Sequence, residues 1–261
     1  MNLNLTGKNA LVGGSSKGIG KAIAIELAEL GANVTLVSRS PELMTTIIRQ
    51  MKRRPGQDHD FLAADFTQRA ELRTKVATLV TAKPFHILVN NTGGPPGGPI
   101  LDASPEEFEM AFHNHLIINQ MLAQIVVPGM LREGYGRIIN VISTSVKAPL
   151  DDLGVSNTVR AAVANWAKTL ANELGRHGIT VNNVLPGLTD TERLHELIQK
   201  KANASGNSIE TVANAMRSSV PAQRFAEAHE IAAAAAFLAT PAAAYINGTN
   251  ITVDGGRTRS L

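Results

Sequence analysis

Residues 10–20, with the sequence ALVGGSSKGIG, decide the fold of this chain. A short apolar run ends in a glycine-rich turn, and apolar residues at helical spacing follow directly, with Gly31 as the stop. A strand, a glycine turn and a helix in this order point backbone N–H groups and the positive helix end at a phosphate. Gly14, Gly18 and Gly20 let a pyrophosphate approach the backbone, although their spacing is not that of GxGxxG. The segment predicts nucleotide binding, and a plain glycine-rich connection is the alternative.

The length and composition are those of a globular protein. The chain has 261 residues, of which 44% are hydrophobic and 18% charged, so it can bury a substantial core. It contains no cysteine, which excludes disulfides and cysteine-based metal or redox sites, and we expect no metal. No stretch approaches the ~20 apolar residues of a membrane helix, and residues 1–8 lack a signal-peptide core. These features predict a cytoplasmic protein.

The charge distribution gives no sign of a nucleic-acid or membrane partner. The net charge is only +3, the basic residues are scattered, and aromatic residues make up 4% of the chain. Binding to nucleic acid calls for a basic face or interleaved aromatic residues. We therefore expect a small-molecule ligand.

Predicted strands and helices alternate along the whole chain. Because alternating βα units form a parallel sheet with helices on both faces, we predict one α/β domain over residues 1–261. A polar, weakly helical segment at about residues 190–221 is predicted to be a mobile substrate lid. The predicted strands after the first are residues 33–38, 61–64, 86–90, 136–142, 180–185 and 250–253, and the helices after the first include residues 42–53, 69–82, 105–132, 155–176 and 230–239.

Five motifs together carry a family resemblance. They are Gly14-x-x-x-Gly18-x-Gly20, Asp65, Asn90-Asn91-Thr92-Gly93, Pro186-Gly187, and the segment from Tyr245-Ile-Asn-Gly to Val253-Asp-Gly-Gly. In this order and spacing the chain resembles the short-chain dehydrogenase/reductase (SDR) family, and within it the β-ketoacyl-acyl-carrier-protein reductases. The resemblance implies a Rossmann fold with a seven-stranded parallel sheet, and a homotetramer.

The choice of cofactor follows from charge. The residue after the second strand meets the adenosine ribose, where a carboxylate favours a 2′-hydroxyl and a cation favours a 2′-phosphate. Here Arg39 follows that strand, and Lys17 lies in the glycine turn, where NADP-preferring relatives carry a cation. Both residues favour NADP(H) over NAD(H), unless they are simply solvated surface cations.

The resemblance also implies the remaining cofactor contacts. Asp65 is expected to bond the adenine amino group, Asn90 to brace the loop over the adenosine, and Pro186, Gly187 and Thr189 to line the nicotinamide side. The full set of expected cofactor-binding residues is Gly14, Ser16, Lys17, Gly18, Ile19, Gly20, Arg39, Asp65, Phe66, Asn91, Gly93, Pro186, Gly187 and Thr189.

The catalytic positions depart from the family pattern. The family uses Ser, Tyr and Lys, with an Asn on the preceding long helix; these positions fall on Ser143, Ser156, Arg160 and His115. The only two tyrosines, Tyr135 and Tyr245, do not fall where they could replace the missing one. A serine hydroxyl has no useful acidity near neutrality, and an arginine keeps its proton. Loss of a positioned general acid typically costs ~10²–10⁴ in rate.

His115 is the substitute proton source that the sequence offers. An unperturbed imidazole titrates near ~6.5; the alternative is an ordinary packed or solvated helix histidine. Arg160 can still hydrogen-bond ribose hydroxyls or a carboxylate, and Ser143 can still polarise a carbonyl. Asp151 and Asp152 precede Ser156 and are either site residues or turn residues.

Two functional hypotheses follow. The first is an NADP(H)-dependent oxidoreductase that acts on a carbonyl or alcohol, like a 3-oxoacyl reductase, by a non-standard proton path through Ser143, His115, Arg160 and Ser156. The second is an NADP(H)-binding pseudoenzyme with a sensing, scaffolding or oligomer-partner role. A non-redox dehydration or isomerisation in the same pocket is a remoter third option, which the sequence neither supports nor excludes.

Overall fold

A parallel sheet of seven strands forms the centre of the protein. The computed structural model describes residues 1–260, and its strand order is β3-β2-β1-β4-β5-β6-β7. This confirms the predicted α/β Rossmann architecture. The strands are β1 (Asn9–Gly13), β2 (Asn33–Ser38), β3 (Asp60–Ala63), β4 (Ile87–Asn90), β5 (Gly136–Val141), β6 (Ile179–Pro186) and β7 (Asn250–Val253).

Helices cover both faces of the sheet. One apolar core lies under α1, α2 and α9, and the other lies under α3, α5 and α6. Within residues 1–260 no helix is long and apolar enough to cross a membrane. The helices are α1 (Gly18–Glu29), α2 (Pro41–Gln50), α3 (Arg69–Ala82), α4 (Pro105–Phe112), α5 (Ile118–Glu133), α6 (Gly154–Leu174), α7 (Glu192–Ser205), α8 (Ile209–Ser218) and α9 (Ala228–Leu238).

The strand order reverses between β1 and β4, which places a crevice at their carboxyl ends. From β1 the chain proceeds to β2 and β3 on one side and to β4 through β7 on the other. In open parallel sheets ligands bind at this point. The residues that follow β1, β2, β4 and β5 therefore meet at one edge.

The single helix predicted over residues 105–132 is interrupted by a π-helical turn. It begins at a capping box formed by Ser104 and Glu107, as its sequence indicates, and then changes at His113–Ile117 before α5. π turns inside helices are frequent at functional sites. His115 lies in this turn.

The predicted lid segment contains two regular helices. Residues 190–221 form α7 and α8, which pack on each other through Leu194, Ile198 and Ala213. The expectation of a weakly helical segment is wrong, because the two helices are amphipathic and share a small apolar core. Their mobility stays a prediction.

Four asparagines, of which Asn90, Asn140 and Asn183 are buried, form a ladder across the sheet. They are paired in register on β4, β5, β6 and β7. The Nδ2 atom of Asn90 donates to Oδ1 of Asn140 at 2.8 Å, Asn140 to Asn183 at 2.9 Å, and Asn183 to Asn250 at 2.8 Å. The Asn90 side chain therefore bonds to the neighbouring strand of the sheet.

Candidate functional site

The glycine turn after β1 has a conformation that only glycine adopts easily. Gly14 and Gly18 have φ values of +57° and +51°. A Cβ on Gly20 would lie 2.3 Å from the carbonyl oxygen of Gly14, so this position excludes every other residue. The Nδ2 atom of Asn91 donates to the carbonyl oxygens of Gly13 and Gly14, at 3.3 and 3.2 Å. The residue that braces the glycine turn is thus Asn91, whereas the sequence had led us to expect a bracing role for Asn90.

The start of α1 is open to an anion. Its N-cap residue, Lys17, makes no side-chain cap, and its first turn contains no acidic residue. The first N–H groups of the helix are therefore available, and they lie at the positive end of its dipole. Together with the close backbone approach at Gly14 and Gly20, this arrangement fits the pyrophosphate of a dinucleotide.

Arg39, Asp65 and Phe66 lie together at the carboxyl ends of β2 and β3. The Asp65 carboxylate accepts hydrogen bonds from the backbone N–H and the hydroxyl of Thr67, both at 2.9 Å. These bonds, with a smaller contribution from the Arg39 charge, lower the pKa of Asp65. The Phe66 ring lies 3.1 Å from the position of a Cβ on Gly13. An ionised acceptor, an exposed guanidinium and an aromatic ring suit an adenosine with a 2′-phosphate.

The start of α7 lies over the glycine turn. The Lys17 Nζ atom is 2.7 Å from a carboxylate oxygen of Glu192, and both side chains are largely exposed. A Cβ on Gly18 would lie 3.3 Å from the Cγ2 atom of Thr191. Exposed ion pairs contribute little to stability. Glu192 therefore pairs with Lys17 in this structure without fixing the position of the lysine side chain.

Pro186, Gly187 and Thr189 form the wall on the other side of the crevice. A Cβ on Gly187 would lie 2.6 Å from the Cα of Asp254, so β6 can pass this close to the end of β7 only with glycine. The Thr189 hydroxyl donates to the carbonyl oxygen of Gly187 at 3.2 Å and is buried. Of the other expected cofactor-binding residues, Ser16 lies on the glycine turn, Ile19 on α1 and Gly93 on the loop after β4.

His115 is buried and paired. Only 2% of it is exposed, and its Nδ1 atom lies 2.6 Å from the Oγ1 atom of Thr92. Burial, with the neighbouring charge of Arg160, lowers the pKa of His115 to about 3. The expectation of an imidazole that titrates near neutrality is therefore wrong. His115 is neutral at physiological pH, with one ring nitrogen as donor and the other as acceptor.

Arg160 is a buried cation on α6. Its guanidinium donates to the carbonyl oxygen of Val141 at 3.2 Å, which holds it at the carboxyl end of β5. Burial, with a smaller contribution from the charge of Arg193, lowers the pKa of Arg160 to about 10. It remains charged at neutral pH. Ser156 is half-buried one turn earlier on the same helix face.

Ser143 is the second residue after β5. Its Oγ atom accepts a hydrogen bond from the backbone N–H of Ser145 at 3.1 Å, and its hydrogen remains available for a ligand.

Asp151 and Asp152 are exposed. Tyr135 precedes β5, where its hydroxyl donates to the Ala239 carbonyl at 2.6 Å. Tyr245 is fully exposed. Neither tyrosine lies at the carboxyl edge of the sheet.

The Gly/Pro loop over residues 93–99 is fastened to the start of α6. The Gly98 N–H donates to the carbonyl oxygen of Asp152 at 2.7 Å, and the Gly154 N–H donates to that of Gly98 at 3.3 Å. Cβ atoms on Gly97 and Gly154 would lie 2.9 Å from the Asp152 oxygen and 2.5 Å from Ile100. The glycines permit this contact, which positions the helix turn that carries Ser156.

The sequence did not indicate two residues of this site. Thr92 pairs with His115, and Arg193 reaches the loop after β4, where its guanidinium donates to the carbonyl oxygen of Pro95 at 2.9 Å. Thr92 lies within the quoted Asn-Asn-Thr-Gly motif, which was the one available signal. Nothing in the sequence around Arg193 distinguishes it from other charged helix residues.

Comparison with known proteins places this site in a family. A family model described as enoyl-(acyl carrier protein) reductase matches residues 14–258. The 3-oxoacyl-[acyl-carrier-protein] reductase of Vibrio harveyi is 34% identical, over 97% of this chain and 98% of that protein. The NADPH-dependent reductase BacG of Bacillus subtilis is 28% identical, over 97% of this chain and 99% of that protein.

A solved structure of high similarity contains a bound dinucleotide. It is the L-sorbose reductase of Gluconobacter frateurii, complexed with NADPH and L-sorbose, and it has a TM-score of 0.92 and 30% identity. The match covers 100% of both chains. With the fold, the glycine turn and these matches, the chain belongs to the short-chain dehydrogenase/reductase family.

Proposed function

We propose that this protein is an NADP(H)-dependent oxidoreductase that interconverts a small-molecule carbonyl and its alcohol by a non-standard proton path. The observation that carries the proposal is the uncapped start of α1 at the strand reversal. Asn91, which bonds to its glycine turn, is followed in the chain by Thr92, the partner of the buried His115. The relatives named above are reductases. One is named as NADPH-dependent, and the structure of another is a complex with NADPH.

The cofactor is NADP(H), held along the carboxyl edge of the sheet. The glycine turn takes the pyrophosphate, Arg39 and Lys17 take the 2′-phosphate, and Asp65 accepts from the adenine. Pro186, Gly187 and Thr189 face the nicotinamide. When bound, the reduced cofactor supplies the hydride.

The side chains around the crevice have distinct roles in this proposal. The Ser143 hydroxyl donates to the substrate carbonyl oxygen and polarises it. The buried Arg160 guanidinium donates hydrogen bonds to a polar group of the cofactor or the substrate. His115 cannot act as an imidazolium reservoir near neutrality, because its pKa is about 3. Instead the neutral ring relays a proton taken up from water: water protonates Nε2 while Nδ1–H protonates the Thr92 oxygen. The Thr92 hydroxyl proton passes to the product oxygen, so the proton delivered is replaced by the one taken from water.

Turnover by a serine variant tests this function. We expect purified protein to oxidise NADPH with members of a carbonyl panel that includes a 3-oxoacyl thioester and L-sorbose. Ser143→Ala removes the polarising donor and is expected to lower kcat by about 100-fold. Thr78→Ala, an exposed hydroxyl on α3 that bonds only within its helix, is the matched control and leaves kcat unchanged.

The second candidate is a cofactor-binding protein without turnover. It is favoured by Ser156 and Arg160 at the positions where the family has Tyr and Lys. Tight NADPH binding with no NADPH oxidation above background across the panel would support this alternative over the enzyme. Turnover that Ser143→Ala abolishes would exclude it.

A further inference from the structure

Two guanidinium groups, Arg160 and Arg193, converge on the loop after β4. Their NH2 atoms lie 3.7 and 3.9 Å from the point where a Cβ of Gly94 would stand. Arg160 reaches this point from α6 inside the protein, and Arg193 reaches it from the first turn of α7. Two elements that are distant in the chain therefore bring like charges to the same place.

No carboxylate balances these charges in the described part of the chain. Within residues 1–260 neither arginine forms a salt bridge, and their hydrogen bonds go to the carbonyl oxygens of Val141 and Pro95. Arg160 is only 7% exposed, and His115 beside it is neutral. Buried charges are normally paired, because an unpaired one loses its hydration without compensation. Among residues 1–260 the buried charge of Arg160 therefore lacks an anionic partner, which a bound anion can supply.

We propose that Arg160 and Arg193 form an anion subsite that binds a carboxylate of the substrate. The substrate class is then an oxo acid or hydroxy acid, with the reacting carbonyl at Ser143. This inference rests on the proposed oxidoreductase function and adds the substrate class to it. A planar guanidinium pair matches a carboxylate by charge-assisted hydrogen bonds.

The place of the subsite favours the substrate over the cofactor as the source of the anion. In the proposed cofactor site the phosphates have other receptors, at the start of α1 and at Arg39 and Lys17. The two arginines instead face Gly94, between the Gly/Pro loop and the helix that carries Ser156. Because a cofactor phosphate and a substrate carboxylate are both anions, the experiment must distinguish between them.

Binding to the oxidised-cofactor complex tests the proposal without turnover. Pyruvate, acetoacetate and levulinate, which differ in the distance from carbonyl to carboxylate, are each titrated calorimetrically against the NADP⁺-loaded protein beside their methyl esters. We expect at least one acid to bind ten or more times tighter than its ester. Arg193→Gln should weaken that acid about tenfold and leave its ester unchanged, and the exposed control Arg73→Gln should change neither.

Separate readouts distinguish the failure of this inference from that of the proposed function. NADPH affinity is measured for every variant by nicotinamide fluorescence. If NADPH binds but no acid binds better than its ester, the subsite is wrong and the cofactor site stands. If Arg193→Gln weakens NADPH as much as it weakens the acid, the anion is a cofactor phosphate and the substrate assignment is overturned. Arg160→Lys, which keeps the buried charge, guards against loss of folding and should retain part of the preference for the acid.

Discussion

The Nδ1 atom of His115 lies 2.6 Å from the hydroxyl oxygen of Thr92, in a π turn that interrupts the long helix before β5. The loop after β4 and the helix that faces it are thus joined by a buried polar pair. The same histidine is next to the buried cation Arg160, which helps to keep the ring neutral. The acid–base capacity of the site is therefore set by tertiary contacts.

The neutral state of His115 predicts a loss of stability in acid. In the unfolded chain the imidazole binds a proton below about pH 6.5, whereas in the folded protein its pKa is about 3. The unfolded state therefore binds more protons between these values, and the free energy of unfolding falls as the pH falls. His115→Asn should remove about 1.4 kcal/mol per pH unit of this slope between pH 6 and 4.

Urea denaturation of both proteins at several pH values measures this difference. Burial also lowers the pKa of His59 and His86, so both proteins keep part of the slope, and only the difference between them reports on His115. Parallel stability curves for the wild type and His115→Asn would contradict the account of this residue.

The asparagine ladder predicts a large cost for a small substitution. Asn140→Ala leaves Nδ2 of Asn90 without an acceptor and Oδ1 of Asn183 without a donor, both buried. Unpaired buried groups cost about 1–3 kcal/mol each, so we expect the free energy of unfolding to fall by about 2–6 kcal/mol. The exposed Asn203→Ala should change it by less than about 0.5 kcal/mol. An equal effect of the two substitutions in denaturant titrations would mean that the ladder does not stabilise the sheet.

The sequence predicted the sheet well because buried parallel strands are short apolar runs. Local signals predict the glycine turn, the strands and helices around it, and the capping box at Ser104. The interruption of the helix at His113–Ile117 was not predicted, because no glycine or proline marks a break there.

The chemistry of the site was less predictable. The pKa of His115 depends on burial and on Arg160, which is distant in the chain. Arg193 joins the site only because α7 packs over the glycine turn, where Lys17 pairs with Glu192. The asparagine ladder was visible in principle, as four asparagines in paired registers of predicted strands, but the registers come from the fold.

The cations around the adenosine predict the choice between NADPH and NADH. In the proposed cofactor site, Arg39→Gln and Lys17→Gln would each remove a charged donor to the 2′-phosphate. Each variant is expected to lose about tenfold in NADPH affinity, with little change for NADH, which lacks that group. Arg49→Gln, an exposed cation in the last turn of α2, serves as the control. If both cofactors weaken equally in the two variants, neither residue contacts the 2′-phosphate.

The most direct test of the account is an equilibrium titration with NADPH and NADH, followed by nicotinamide fluorescence. The wild type is predicted to bind NADPH more tightly than NADH. Gly20→Ala, whose Cβ would lie 2.3 Å from the Gly14 oxygen, is predicted to abolish binding of both. Gly129→Ala, whose Cβ would lie no closer than 3.6 Å to Pro84, is predicted to bind like the wild type. Binding of neither cofactor to the wild type, or undiminished binding to Gly20→Ala, would contradict a dinucleotide site at the start of α1.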